Sequence, residues 1–178
     1  MNAPSPTLSL KALKALKARA LRHLARREHT RDELERKLIA QSRVARRAEE
    51  RGREGGPGGR DPHSAEVTAA VDAELAAQVR RMLDELVAHG LLSDERAAES
   101  MLASQSRRFG SRRLKQTLLA KGLAPDLVRS TVQQSRATEY ERAQDLWRRR
   151  FGQAPADARE QARQMRFLAG RGFDAEVI

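Results

Sequence analysis

The feature that most constrains this chain is a sentence it uses twice. LLAKGLAPDLV at 118–128 returns as LAGRGFDAEVI at 168–178: an apolar pair or near-pair, a basic residue, glycine, a large apolar residue, an acid and two closing apolar residues. Gly122 aligns with Gly172, Leu123 with Phe173, Asp126 with Glu176, and Leu127 and Val128 with Val177 and Ile178. A glycine directly after a helical apolar stripe reads as a helix stop, with the large apolar residue behind it folding back onto the stripe. Farther upstream, TRDELERKLIAQS aligns with GSRRLKQTLLAKG, setting Leu34 on Leu114 and Leu38 on Leu118. Helical units this short cannot bury both faces alone, so copies must stack on one another. The expected fold is all-α: three tandem three-helix repeats, at about 10–91, 92–136 and 137–178, stacked into an elongated, curved array.

Composition agrees. Of 178 residues 39% are hydrophobic but only 3% aromatic, and the apolar content is mostly Leu and Ala, which favour helices over strands. A Pro/Ser tail occupies 1–9. Over 11–27, Leu13, Leu16, Ala20, Leu21 and Leu24 recur at helical spacing. Thr30 and Glu33 have capping-box spacing ahead of Leu34, Leu38 and Ile39. A Gly-rich insertion is expected at about 43–64. The next helix, over 65–89, carries Val67, Val71, Leu75, Val79, Met82, Leu83, Leu86 and Val87, with His89 as a polar cap and Gly90 as its stop. Ser93 reads as the next N-cap, Ser111 and Gly122 bracket another helix, and Pro125 suits a first helical position. Thr138 with Glu141 reads as a second capping box, Pro155 introduces the next helix, and FDAEVI makes a short last one.

The formal net charge is +11, which points to polyanionic partners. The absence of cysteine removes disulfides, thiolate metal sites and cysteine catalysis and fits a reducing cytoplasm. The basic N-terminal segment lacks the continuous apolar core of a signal peptide, and no apolar run is long enough to span a membrane. His23, His29, His63 and His89 are scattered, so no metal site is expected. GREGGPGGRD lacks the Lys-Ser/Thr of a phosphate loop. The sequence therefore predicts no enzyme, no catalytic residues and no cofactor. What stands out is cationic clustering: 11–27; 107–121; and a third group in the last repeat. The expected partner contacts are Arg107, Arg108, Arg112, Arg113, Lys115 and Lys121, followed by Arg148, Arg149, Arg163, Arg166 and Arg171. Phe109, Trp147, Phe151, Phe167 and Phe173 read as core anchors rather than base-stacking platforms. Arg112 and Arg113 stand in a helix's first turn, where cations are unfavourable; the aligned positions of the first repeat hold Asp32 and Glu33.

Four blocks in order, LARREHTRDELERKL, LDELVAHGLLSDERAAES, GSRRLKQTLLAKGL and RQMRFLAGRGF, resemble the signature blocks of the RecX family, bacterial regulators of the RecA recombinase. The resemblance covers about 16–178. It implies three tandem three-helix repeats that bind in the groove of RecA nucleoprotein filaments, inhibiting filament growth, ATPase and strand exchange. It also implies direct DNA binding, expected here to be weaker and nonspecific for single- or double-stranded DNA; beside it, no membrane association and a monomer are expected. Ala97 stands where the family usually has Phe, with Met101 or Phe109 as candidates to compensate. The insertion is longer than the family pattern and the last helix shorter. Two other readings fit the charge: a sequence-nonspecific DNA/RNA-binding helical protein acting without RecA, and an anionic-membrane binder through 11–27.

Overall fold

The computed structural model describes residues 10–53 and 62–178. The expected tail at 1–9 and the glycines of 54–61 lie outside the described residues. Every regular element described is helical: α1 (Leu10–Leu24), α2 (Arg31–Arg53), α3 (Pro62–Ala88), α4 (Asp94–Gln105), α5 (Ser111–Ala120), α6 (Pro125–Arg136), α7 (Glu139–Arg150) and α8 (Ala158–Gly170). They divide into two compact units, one ending at Ser93 and the other running from Asp94 to Ile178.

In the first unit, α2 packs against both α1 and α3. Its core joins Leu16 and Ala20 of α1, Leu34 and Leu38 of α2, and Leu75, Val79, Met82, Leu83 and Leu86 of α3, closed by Leu92. The apolar stripes are narrower than their sequences suggest. Leu21, Val67 and Val87 face outward, because only the positions facing α2 are covered. Helix α2 continues to Arg53, so helix fills the first half of the expected insertion, and Arg43 and Arg46 both pair with Asp72 of α3. The Thr30 hydroxyl accepts from the Glu33 amide at 3.0 Å, the local cap its spacing predicts. His89 Nδ1 lies 2.9 Å from Glu85 O and donates to it at the end of α3.

His29 is buried beside this cap, its Nδ1 3.4 Å from Glu33 Oε1. Burial lowers its pKa from the ordinary 6.5, aided by Arg27, Lys37 and His23 and opposed by Glu33. The unfolded chain therefore protonates first as pH falls. Stability from this group is present above about 6.5 and is lost as pH drops from there through the folded-state pKa. Urea unfolding of the first unit is expected to show a falling midpoint below that pH, and His29→Gln should flatten that fall.

In the second unit, α4, α5 and α6 pack mutually around Ala98, Leu114, Leu118, Leu123 and Val128. Ala97 is buried without an aromatic; Met101 and Leu102 pack against the cluster beside it, whereas Phe109 does not. Helices α7 and α8 pack around Ala143, Leu168 and the fully buried Phe173. The duplicated sequence folds in duplicate. Gly122 (φ 79°) and Gly172 (φ 78°) take the left-handed stop, and Leu123 N donates to Leu118 O as Phe173 N does to Leu168 O, each at 3.3 Å. The parallel ends there: Pro125 opens α6, whereas 174–177 makes a single turn, Val177 N to Asp174 O at 3.0 Å, in place of the expected short helix. Val177 and Ile178 nevertheless pack on the Phe173 cluster, which gives the turn its anchorage.

The second expected capping box does not form. Thr138 sits at φ −118°, ψ 13°, outside the extended region an N-cap needs, and its hydroxyl accepts from Arg142 Nε at 3.2 Å instead.

Candidate functional site

The cation-rich helix α5 begins at Gly110, which has no side chain with which to cap it. Its first amides, which have no acceptor within the helix, are met by the segments that follow it in the chain. Ser111 N donates to Glu139 Oε1 at 2.8 Å, Arg112 N to Gly172 O at 3.0 Å, and Gly110 N to Arg171 O at 3.0 Å. Glu139 is 1% exposed, and the same oxygen accepts from Asp174 N at 3.2 Å. A buried carboxylate thus faces the positive end of α5, offsetting the unfavourable arginines of its first turn. Arg142, one turn further along α7, donates to the carbonyls of Ser106, Phe109 and Ser135. Burial lowers its pKa, opposed by Glu139, yet a guanidinium stays charged in that setting. Neither Glu139 nor Arg142 is legible as a site residue. Their partners lie up to 36 residues away, and each resembles an ordinary charge on a helix of mixed sign.

With its backbone anchored this way, the helix is free to present side chains. The expected contact residues fall into separate groups. Arg108 and Arg113 stack on Phe109, at 5.6 and 4.5 Å from the ring centre. Arg171 donates to Arg108 O at 3.4 Å and stacks on Phe167 at 4.7 Å. Phe167 meets Phe151 edge-to-face at 5.3 Å, and Arg163 caps Phe151 at 5.5 Å. The result is a continuous string of cations and rings, Arg113–Phe109–Arg108, then Arg171–Phe167–Phe151–Arg163. Each cation–ring contact is worth about 0.5–1 kcal/mol at exposed sites and holds the guanidinium in a fixed direction. Of the five aromatics read as anchors, Phe173 is fully buried and Trp147 and Phe167 pack against its cluster. Phe109 and Phe151 serve instead as half-buried supports for arginine.

Arg112 and Lys115 lie on a different face. They line a cleft of about 350 Å³ between α5 and α6, with Leu119 and Val132 as its apolar wall and Arg136 opposite. Arg129 continues this wall beyond Lys115. Sequence reading missed Arg129 and Arg136 because they lie outside the basic runs; the helix spacing of α6 was the available signal. Arg136 pairs with Asp174 and Arg129 with Asp126, whereas no carboxylate pairs with Arg112 or Lys115 among the described residues. Arg107, Arg148, Arg149 and Arg166 are exposed and join neither group, and Arg163 shares its charge with Glu160 at 2.8 Å. Lys121 caps the far end of α5, its amide donating to Thr117 O and Leu118 O.

These features define an all-helical, three-helix-repeat protein that displays ordered cations on elements fixed from below. Residues 93–131 match the profile described as RecX, second three-helix domain, and 137–178 the one described as RecX, third three-helix domain. The chain is 42% identical over 164 residues to the regulatory protein RecX of Leptothrix cholodnii, covering 92% of this chain and 85% of that protein. Its counterpart in Chromobacterium violaceum is 38% identical over 165 residues, covering 93% and 87%. The chain belongs to the RecX family of regulatory proteins. The crystal structure of RecX from Lactobacillus salivarius shares the fold at a TM-score of 0.58 and 16% identity, covering 95% of this chain and 93% of that one. A second crystal structure of a regulatory protein RecX gives 0.59 at 17%, covering 93% and 70%. None of the described helices is long and apolar enough to cross a membrane.

Proposed function

We propose that this protein is a non-enzymatic, cytoplasmic, monomeric regulator that binds RecA nucleoprotein filaments in their groove and inhibits filament growth, ATPase and strand exchange. It acts through three helical repeats, at 10–91, 92–136 and 137–178, and binds naked single- or double-stranded DNA more weakly. The contacts are Arg107, Arg108, Arg112, Arg113, Lys115 and Lys121, with Arg148, Arg149, Arg163, Arg166 and Arg171. The observation that carries this reading is the division of labour at α5. Its amides are bound by Glu139 and Gly172, while Arg112 and Arg113 stay exposed without a carboxylate partner among the described residues. Cations that cost the helix stability and meet no carboxylate among the described residues, one of them held in direction by the Phe109 ring, are placed for an external anion.

The test compares the full chain with Arg112→Glu and Arg113→Glu in RecA's DNA-dependent ATPase assay. Both variants are expected to lose inhibition by about tenfold or more in the concentration required, as expected when a phosphate- or carboxylate-binding guanidinium is reversed. Arg112→Glu should leave thermal stability unchanged or raise it by a few tenths of a kcal/mol, because an acid suits a first helical turn. Unchanged inhibition by both variants sinks the assignment. Binding to RecA-coated DNA should also exceed binding to naked single-stranded DNA at near-physiological salt. Equal binding, falling by about 0.7 in log affinity per log salt for each phosphate contacted, would favour a nucleic-acid binder acting without RecA.

A further inference from the structure

A cleft of about 610 Å³ opens between α1 and α2 in the first unit. Arg19, Arg22, His23 and Arg26 line one side, and Ala40, Gln41, Val44 and Ala45 the other. Other cations of this unit are paired between helices: Lys17 with Glu85, Arg31 with Asp84, Arg43 and Arg46 with Asp72. Arg19, Arg22 and Arg26 pair with no carboxylate among the described residues, and no acidic residue lines the cleft. Facing them, the Val44 side chain is left 66% exposed. Gln41 reaches His23 across the opening, Nε2 to Nε2 at 3.4 Å. The volume is in the range of small-molecule sites, and the lining combines apolar surface with a few convergent polar groups, as such sites do.

We infer that this cleft binds a free nucleoside triphosphate. Arg19 and Arg22 are one helical turn apart and Arg26 follows just past the end of α1, so the three guanidiniums span about 10 Å at ~1.5 Å per residue. That concentration of forked donors suits the adjacent phosphates of one nucleotide better than the spaced phosphates of a strand. Ala40 and Val44 give the base an apolar wall, and the Gln41 amide offers one donor and one acceptor to its edge. The cleft is formed wholly by the first unit and uses none of the cations assigned to the filament.

The test is a fluorescence titration of the full chain, without RecA or DNA, using N-methylanthraniloyl-labelled ATP. Saturable binding is expected, displaced by unlabelled ATP and weakened about tenfold or more by Arg22→Ala with Arg26→Ala, both exposed positions whose loss spares the fold. Val44→Asp, which brings an anion to the wall, should weaken it comparably while far-ultraviolet circular dichroism stays unchanged. No saturation at about 1 mM nucleotide would overturn the inference, since such a site contributes little below that affinity. So would unaltered affinity in both variants, displacement by inorganic tripolyphosphate as effective as by ATP, or binding of an oligothymidylate alone. Failure of Arg112→Glu to relieve RecA inhibition leaves this titration untouched, so the two readings fall separately.

Discussion

Replacing Gly110 with alanine is expected to destabilise the second unit by about 3 kcal/mol, an effect reserved for changes that break a buried network. The backbone is not the obstacle, because φ is −80° at this residue and any side chain tolerates that. Space is the obstacle. A Cβ there would lie 2.3 Å from Phe173 Cα and 2.4 Å from Gly172 O, both backbone atoms of a chain segment that cannot rotate away. Moving that segment aside breaks Gly110 N to Arg171 O and Arg112 N to Gly172 O and strains Ser111 N to Glu139. Denaturant unfolding measures the loss, and faster hydrogen exchange at the Arg112 and Asp174 amides locates it. Gly170→Ala is the control. It ends α8 with nothing within 4 Å of its Cβ, so stability should hold or rise by about 0.5 kcal/mol. Equal stability of Gly110→Ala and the parent chain would mean the two segments do not approach this closely.

That close approach explains why some of the molecule can be read from the sequence and some cannot. Local devices are legible: the Thr30 cap, Pro125 opening α6, and the Gly122 and Gly172 stops each involve residues within a few positions of one another. The Thr138–Glu141 box has the same local spacing and fails, because a guanidinium held by carbonyls of α4–α6 and their connections takes the threonine hydroxyl. Where Thr30 caps α2 within its own strand of sequence, the aligned position before α5 is Gly110, and the cap comes from Glu139 instead. Glycine there cannot cap, but only glycine admits the Phe173 backbone. The cationic clusters were visible as composition and invisible as geometry. Arg112 and Arg113 are adjacent in sequence yet about 100° apart around the helix, so one enters the α5–α6 cleft and the other stacks on Phe109. Phe109 and Phe151 looked like core residues because a sequence does not say which face of a ring an arginine will cover.

Removal of the Glu139 carboxylate should have a comparable effect and reveal what it is for. Glu139→Ala strands the buried Ser111 amide and the partly buried Asp174 amide, and removes the opposing charge that acts on Arg142. Hydrogen bonds to charged groups contribute about 1.5–3 kcal/mol each and do not simply add, so a loss of about 3 kcal/mol is expected. Glu139→Gln keeps an acceptor oxygen of the same reach but no charge, and should lose roughly half as much. Thermal unfolding should therefore rank the parent chain above Glu139→Gln and Glu139→Ala last; an equal loss for both substitutions would mean charge contributes nothing. The sharper measurement is a double-mutant cycle with Arg112→Glu. If the buried carboxylate compensates for cations at the start of α5, removing a cation matters more when the carboxylate is gone. Arg112→Glu should then stabilise the Glu139→Gln protein by up to about 1 kcal/mol, against a few tenths in the parent chain. Strict additivity would show that Glu139 serves only the two amides. Coupling would show that the last repeat supplies, from inside the fold, the negative charge that Asp32 and Glu33 supply locally to α2, leaving the corresponding surface of α5 open to arginine.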